Sequence, residues 1–370
     1  MKNQESVMNC SVNRRSFLRN SALAGGAAAI GSGLLSSRPV QAQDDDDRDR
    51  NRGELTRGDT AILRFLAAAE LIESDLWQQY TELGGVSSDG STNPYQAAFE
   101  VLDGDGPQYI TSNTTDEISH ATFLNAYLEW KGEEPVNLDE FRTLQGSQAN
   151  GAQNIGRLTN LMNLTVDTSW YIRYRSTTNP DFGANYPQAV TLAHVTAIPR
   201  NDNDFNNQQH IQAIANTAAF HFGMIEQGGS SLYSTLGQKA TSAEVLEIIF
   251  AIGGDEVAHF LEWVDFAGNG VQQPVAPFTD PTNHLTFPDF NAKGDPLFQT
   301  NLIFPVPCEF ISPKLPKCAV IRPVTDRFGG AMAAANSLIG SNLFMGQSKR
   351  FINTLKRMAE EADAARRGHF

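Results

Sequence analysis

Apolar positions recur every three or four residues in four long stretches of the chain, the period of a helix with one face against a core. The first follows Asp59, which suits an N-cap, and runs to about Leu83, where Gly84-Gly85 stops it. Its face reads Ile62, Leu66, Ala69, Leu76, Trp77 and Tyr80. The second runs from Thr114 or Thr115 to about Trp130 and carries Leu124, Tyr127 and Leu128 on one side. The third spans about Phe205 to Leu236, with Ala219, Phe222 and Tyr233 in line. The fourth begins at a capping box, Thr241-Ser242-Ala243-Glu244, and reaches about Ala267. A short helix is predicted over Pro94 to Leu102. Residues 135–204, broken by Gly, Asn and Pro, read as a long crossover with local structure. Within it Trp170, Tyr171 and Tyr174 either pack on the helices or form a substrate lip. Beyond Gly268 the chain turns irregular and Pro-rich, then helical again over 326–366. The closing amphipathic stretch KRFINTLKRMAEEADAARR can dock on the helices or mediate self-association.

Several of the apolar faces hold carboxylates and imidazoles. Glu73 sits in the middle of the first face, with Glu70 one turn before it; Glu70 can equally lie at the edge and reach water. Glu226 interrupts the third face. The second and fourth helices each carry an acidic pair and a histidine, Asp116-Glu117-x-x-His120 and Asp255-Glu256-x-x-His259. A spacing of three sets Glu and His on one helix face. The pattern repeats: Glu73 precedes Tyr80 by seven and Glu226 precedes Tyr233 by seven, and each lone Glu is followed by one DExxH. Two hairpins about a pseudo-twofold axis would bring four carboxylates and two imidazoles into one interior. Buried carboxylates repel one another unless protonated or neutralised. Two divalent ions offset four negative charges, and histidine nitrogen points to a transition metal over calcium or magnesium. Iron is the first choice and manganese the second; zinc favours fewer oxygens and often cysteine.

The expected ligands are therefore Glu73, Glu117, His120, Glu226, Glu256 and His259. Asp116 and Asp255 either accept the second ring N–H of a ligand histidine or face solvent. Tyr80 and Tyr233 either bond to ligand carboxylates or are core tyrosines. His221 lies off the ligand face. His194 and His210 have no acidic neighbours at ligand spacing and take no role. The Gly-Gly pairs at 228–229 and 253–254 sit within a turn of Glu226 and Glu256 and allow close backbone approach or a local helix distortion.

The amino terminus adds a destination. Arg14-Arg15-Ser16-Phe17-Leu18-Arg19 is a twin-arginine pattern, followed by a weakly apolar run and by Val40-Gln41-Ala42, which suits a signal peptidase. Residues 1–42 are thus expected to be an export signal and 43–58 a charged linker. Removing the signal takes five basic residues and one acidic one, so the net charge moves from −14 to −18. Such a chain repels nucleic acid and anionic lipid. No segment is apolar and long enough for a stable membrane span, so no membrane insertion is expected after signal removal. Cys308 and Cys318, ten apart, are expected to be disulfide-bonded in an oxidising compartment.

The constellation resembles the ferritin-like superfamily of four-helix di-metal carboxylate proteins, closest to rubrerythrin-type and twin-arginine-exported bacterial proteins, some described as desiccation-related. The likeness covers residues 59–268. It implies an all-α four-helix bundle with a long crossover between helices two and three, and 269–370 packed on or beside it. It further implies two iron or manganese ions and redox chemistry with O2 or H2O2, as ferroxidase or peroxide-removing activity. The other reading is an envelope stress or desiccation-related structural protein with weak or no metal binding. A periplasmic or otherwise exported location and an open question of homo-oligomerisation go with both. Unlike rubrerythrin, the chain has no rubredoxin-like cysteine module.

Overall fold

The computed structural model describes residues 53–87, 90–174, 187–295, 298–300, 302–321 and 330–368, all within one compact unit. The twin-arginine stretch and the expected signal lie outside the described residues, as does most of the charged linker.

The described chain is mostly helical. Four long helices carry it: α1 (Arg57–Gly84), α3 (Gly106–Trp130), α5 (Gln208–Gly237) and α6 (Ala243–Asn269). The shorter ones are α2 (Pro94–Leu102), α4 (Trp170–Arg173), α7 (Ala331–Gly340) and α8 (Lys349–Ala364). Three beginnings differ from expectation. Thr56 rather than Asp59 caps α1, its hydroxyl accepting from the Asp59 N–H. Asp59 is instead buried and accepts from the Thr241 and Ser242 backbone N–H groups at 2.8 and 3.1 Å, tying the start of α1 to the start of α6. Helix α3 begins eight residues before Thr114, with Pro107 in its first turn. The Thr114 and Thr115 hydroxyls return to carbonyls one turn back and cap nothing. At α6 the cap is Ser242, and Glu244 does not close the expected box; it takes Lys131 Nζ at 2.6 Å and the Tyr127 hydroxyl at 2.9 Å.

Side-chain contacts fix the directions of the four long helices. Thr81 meets Thr114 and Ser74 meets the Glu117 carbonyl, so α1 and α3 are antiparallel. Gly253 lies against Tyr233 and Gly237 against Ile249, so α5 and α6 are antiparallel. Trp77 reaches Glu226 and Tyr80 reaches His221, which makes α1 and α5 antiparallel as well. It follows that α3 and α5 run the same way. The connection between them must return over the length of a 25-residue helix, about 38 Å at 1.5 Å per residue. This is the physical reason for the long crossover.

That crossover is more ordered than its punctuation suggests. It contains two antiparallel strand pairs, β1 (Leu144–Gln145) with β2 (Gly156–Arg157) and β3 (Leu164–Val166) with β4 (Leu192–Val195). It is anchored to α1 by the buried Asp75, which accepts from Arg142 at 2.7 Å and from the Leu158 and Thr159 N–H groups. Trp170, Tyr171 and Tyr174 are completely buried, so they are core and not a lip. Gly223 makes this fit: a Cβ there would lie 2.3 Å from the Trp170 ring.

The carboxy-terminal segment adds a third short pair, β5 (Phe278–Thr279) with β6 (Thr286–Phe287), and then α7 and α8. The amphipathic α8 docks on α1 through Phe351, Leu355, Met358, Ala359 and Ala362. Its Asp363 accepts from the first N–H groups of α7 and from Lys239, just past the end of α5. The expected disulfide is not formed; Cys308 and Cys318 are free thiols. They stand directly opposite each other, exchanging both backbone hydrogen bonds at 3.0 Å. Among the described residues no helix is long and apolar enough to cross a membrane.

Candidate metal centre

Helical geometry places the site. Glu117 and His120 share one face of α3, and Glu256 and His259 share one face of α6. The antiparallel meeting of α3 and α6 brings the two ExxH pairs side by side, their imidazoles 6.3 Å apart. From the other side α1 supplies Glu70 and α5 supplies Glu226. Two groups of possible ligands result, each made of buried residues: Glu70, Glu117, His120 and Glu256, and Glu117, Glu226, Glu256 and His259. Glu117 and Glu256 belong to both.

His120 Nδ1 lies 3.4 Å from Glu70, 3.5 Å from Glu117 and 3.7 Å from Glu256. His259 Nδ1 lies 3.1 Å from Glu117 and 3.3 Å from Glu226. The outer ring nitrogens cross over. His120 Nε2 is 3.2 Å from Asp255 and His259 Nε2 is 3.3 Å from Asp116. Each aspartate thus serves the histidine of the opposite helix, an arrangement that leaves Nδ1 free to face inward. Asp116 and Asp255 are half-exposed, so the centre comes nearest to solvent between α3 and α6.

One expected ligand is displaced. Glu70, not Glu73, lies within ligand distance on α1. Glu70 is 1% exposed, which removes the reading in which it reaches water. Tyr80 is not the counterpart of Tyr233 in three dimensions: its hydroxyl bonds to His221 Nδ1 at 2.7 Å. The element that matches Glu226 and Tyr233 is Glu70 with Trp77, again seven apart. Each aromatic then holds the other helix's glutamate: the Tyr233 hydroxyl donates to Glu70, and Trp77 Nε1 donates to Glu226 at 3.0 Å. A Tyr-for-Trp swap hid the symmetry, since both serve as ring donors but look unlike in sequence.

Asn113 was also missed. Its amide donates to Glu117 at 2.9 Å and Glu226 at 3.3 Å, while its oxygen accepts from Trp263 Nε1 at 2.7 Å. Its position one turn before Glu117 was the available signal. Of the glycines, Gly229 is essential to the geometry: a Cβ there would lie 1.9 Å from Glu256 Oε2. Gly253 allows α6 to close on Tyr233. His210, given no role, pairs with Asp280 at 2.7 Å, a partner 70 residues away that local spacing could not reveal.

The electrostatics follow from crowding in a dry interior. Burial, then the neighbouring Glu226 and Glu70, push Glu117 up to about 8. Burial and the other carboxylates also raise Glu256 and Glu73 well above the usual range. For His120, burial lowers the pKa, but the carboxylates of Glu117 and Glu70 outweigh it and lift it to about 10. His259 is raised in the same way by Glu226, Asp116 and Glu117, against its burial. His221, away from the carboxylates, is pushed down to about 3 by burial.

The donor set fits a pair of divalent ions. Glu70 Oε2, Glu117 Oε2, Glu226 Oε2, both Glu256 oxygens and the Nδ1 atoms of His120 and His259 are buried without hydrogen-bond partners. Orphaned polar atoms at this density are costly. They belong to the residues of the two groups, and Glu117 and Glu256, common to both, could each serve either ion. The chain matches no model of a known protein family, no curated protein and no solved structure.

Proposed function

We propose that the chain is an exported ferritin-like protein whose four long helices form a bundle around two iron ions, with manganese the second choice. Its activity on this reading is redox chemistry with O2 or H2O2, as a ferroxidase or in peroxide removal. Seven orphaned donor atoms, gathered from four helices into two groups that share Glu117 and Glu256, carry the proposal. Glu70, Glu117, His120 and Glu256 would hold one ion; Glu117, Glu226, Glu256 and His259 the other. Such a pair supplies one-electron redox steps at adjacent centres. The chain's own residues define its setting. Asp116 and Asp255 hold the imidazoles with Nδ1 inward, Trp77 and Tyr233 orient the outer carboxylates, and the aromatic packing of Trp77, Phe222 and Trp263 excludes water on one side. The twin-arginine pattern at Arg14-Arg15 supports export of a protein that folds and loads metal beforehand.

A second reading, a stress-related structural protein with weak or no metal binding, is favoured by one observation. The raised values of His120 and Glu117 allow imidazolium and shared protons to offset part of the charge. Elemental analysis of the exported protein separates the two, with about two ions per chain expected. Replacing Glu256 and His259 together with alanine should abolish binding. Unchanged metal content and melting temperature in that variant would sink the metalloprotein reading.

A further inference from the structure

Tyr80 of α1 and His221 of α5 form a buried titratable pair outside the two ligand groups, the phenol oxygen 2.7 Å from His221 Nδ1. Burial pushes the imidazole down to about 3 and the phenol well above its usual value, so both are neutral at physiological pH. Among the described residues Nδ1 is the hydroxyl's one hydrogen-bond partner, so the phenol donates to it and the ring proton sits on Nε2. Nε2 is buried without a partner. Packing alone does not account for this, since the bond to Tyr80 leaves an orphaned N–H in a dry interior. What the imidazole adds is a base within proton-transfer distance of the phenol.

The pair is one ring away from the candidate ligands. Tyr80 and Trp77 have ring centroids 5.7 Å apart, and Trp77 Nε1 donates to Glu226 at 3.0 Å. Trp77 also stacks on Trp263 at 5.4 Å, and Trp263 reaches Glu117 and Glu226 through Asn113. Indole and phenol give up an electron far more readily than the phenyl ring of Phe222 packed against them. A phenol that has lost an electron is a much stronger acid than imidazolium, so its proton crosses to Nδ1.

We propose that Tyr80 and His221 are a proton-coupled electron relay serving the metal centre through Trp77. The inference rests on the di-metal reading and adds an electron source for its reaction with hydrogen peroxide. Reducing H2O2 to two waters takes two electrons and two protons. When the metal pair holds a single reducing equivalent, Tyr80 supplies the second electron. The phenol O–H bond breaks, its proton forms the Nδ1–H bond of an imidazolium, and a neutral phenoxyl radical remains. The two protons that end in water come from solvent. With no partner at Nε2, the proton on His221 is held in place and returns to the phenol when a one-electron reductant from solution refills the radical.

Two measurements test it. Nitrogen NMR of isotope-labelled, metal-free protein should show His221 neutral, with a bare Nδ1 and a protonated Nε2, the resonances assigned by their loss in His221→Asn. Iron-loaded protein poised at one reducing equivalent per pair, mixed with hydrogen peroxide and freeze-quenched, should give a tyrosyl radical in electron paramagnetic resonance, narrowed by ring-deuterated tyrosine. Tyr80→Phe keeps the ring packing and should abolish that signal. His221→Asn, whose Oδ1 accepts the same hydrogen bond without taking the proton, should lower it at least tenfold. Iron content should stay within twofold of the parent in both variants. A proton on Nδ1, no tyrosyl signal from an iron-loaded parent, or the parent's signal in either variant overturns the proposal alone. A parent chain that binds no iron overturns this proposal and the di-metal reading together.

Discussion

Replacing Gly229 with alanine is the sharpest probe of the centre, because one methyl group addresses one carboxylate. In an ordinary helix interior Gly→Ala gains about 1 kcal/mol. Here the new Cβ would lie 1.9 Å from Glu256 Oε2 and 2.8 Å from its carboxyl carbon, well inside contact distance. Backbone helices move less easily than a side chain, so the Glu256 carboxylate should swing away and leave both ligand groups short of a donor. Losing or misplacing a group around a metal typically weakens binding about 10–100-fold. At a free-metal concentration about 1,000 times Kd, binding adds about 4 kcal/mol to stability. A hundredfold weaker site retains about 1.4 kcal/mol, a loss of about 2.7 kcal/mol. With about 0.6 kcal/mol/K of unfolding entropy for a unit of roughly 300 residues, the metal-dependent rise in Tm should shrink by about 4 °C. The metal-free Tm should change by a smaller amount, since the helix gain offsets the strain. Anaerobic thermal melts with and without Fe(II) or Mn(II), alongside elemental analysis, read both quantities. A Gly229→Ala protein that keeps two ions per chain and the full metal-dependent shift would refute the placement of Glu256 in the centre.

Three further outcomes are expected. For metal-free protein, Glu117 has its folded pKa raised to about 8 from 4.5 and His120 to about 10 from 6.5. Groups raised on folding stabilise at low pH and lose that contribution as pH rises through the folded value. Metal-free stability should therefore fall by several kcal/mol between about pH 5 and 9, while the added stability from metal grows as its ligands lose protons; urea melts across that range giving the opposite slopes would contradict the assignment. Asp59→Ala leaves the half-buried Thr241 and Ser242 N–H groups without their buried acceptor and should cost about 1–3 kcal/mol, read by chemical denaturation, with metal content unchanged. Mild oxidation should join Cys308 and Cys318, whose backbones already pair, closing a loop of about ten residues for up to about 3 kcal/mol; a thiol titration that still finds two free groups after oxidation would count against it.

The local periodicities made much of this molecule legible. Four long helices, the short helix Pro94–Leu102 and the two ExxH pairs follow from 3.6-residue spacing, a property of each segment alone. The burial of Trp170, Tyr171 and Tyr174 follows from their size and apolarity. Helix beginnings are less legible, since tertiary partners claim the capping chemistry of Asp59 and Glu244, and Thr114 lies inside its helix with its hydroxyl on the Ile110 carbonyl.

What the chain decides only in three dimensions is which polar groups meet. Glu70 and Glu73 lie on nearly the same face, and no local rule separates them. The choice falls to α5, where Tyr233 donates to Glu70. The link from His210 to Asp280, the crossed pairs of Asp116 and Asp255 with the opposite histidines, and the methyl-sized gap between Gly229 and Glu256 likewise join residues 27 to 143 positions apart. Sequence fixes the spacing of groups along a helix through its pitch; the rotation and depth at which helices pack determine whether those groups become ligands, partners or walls.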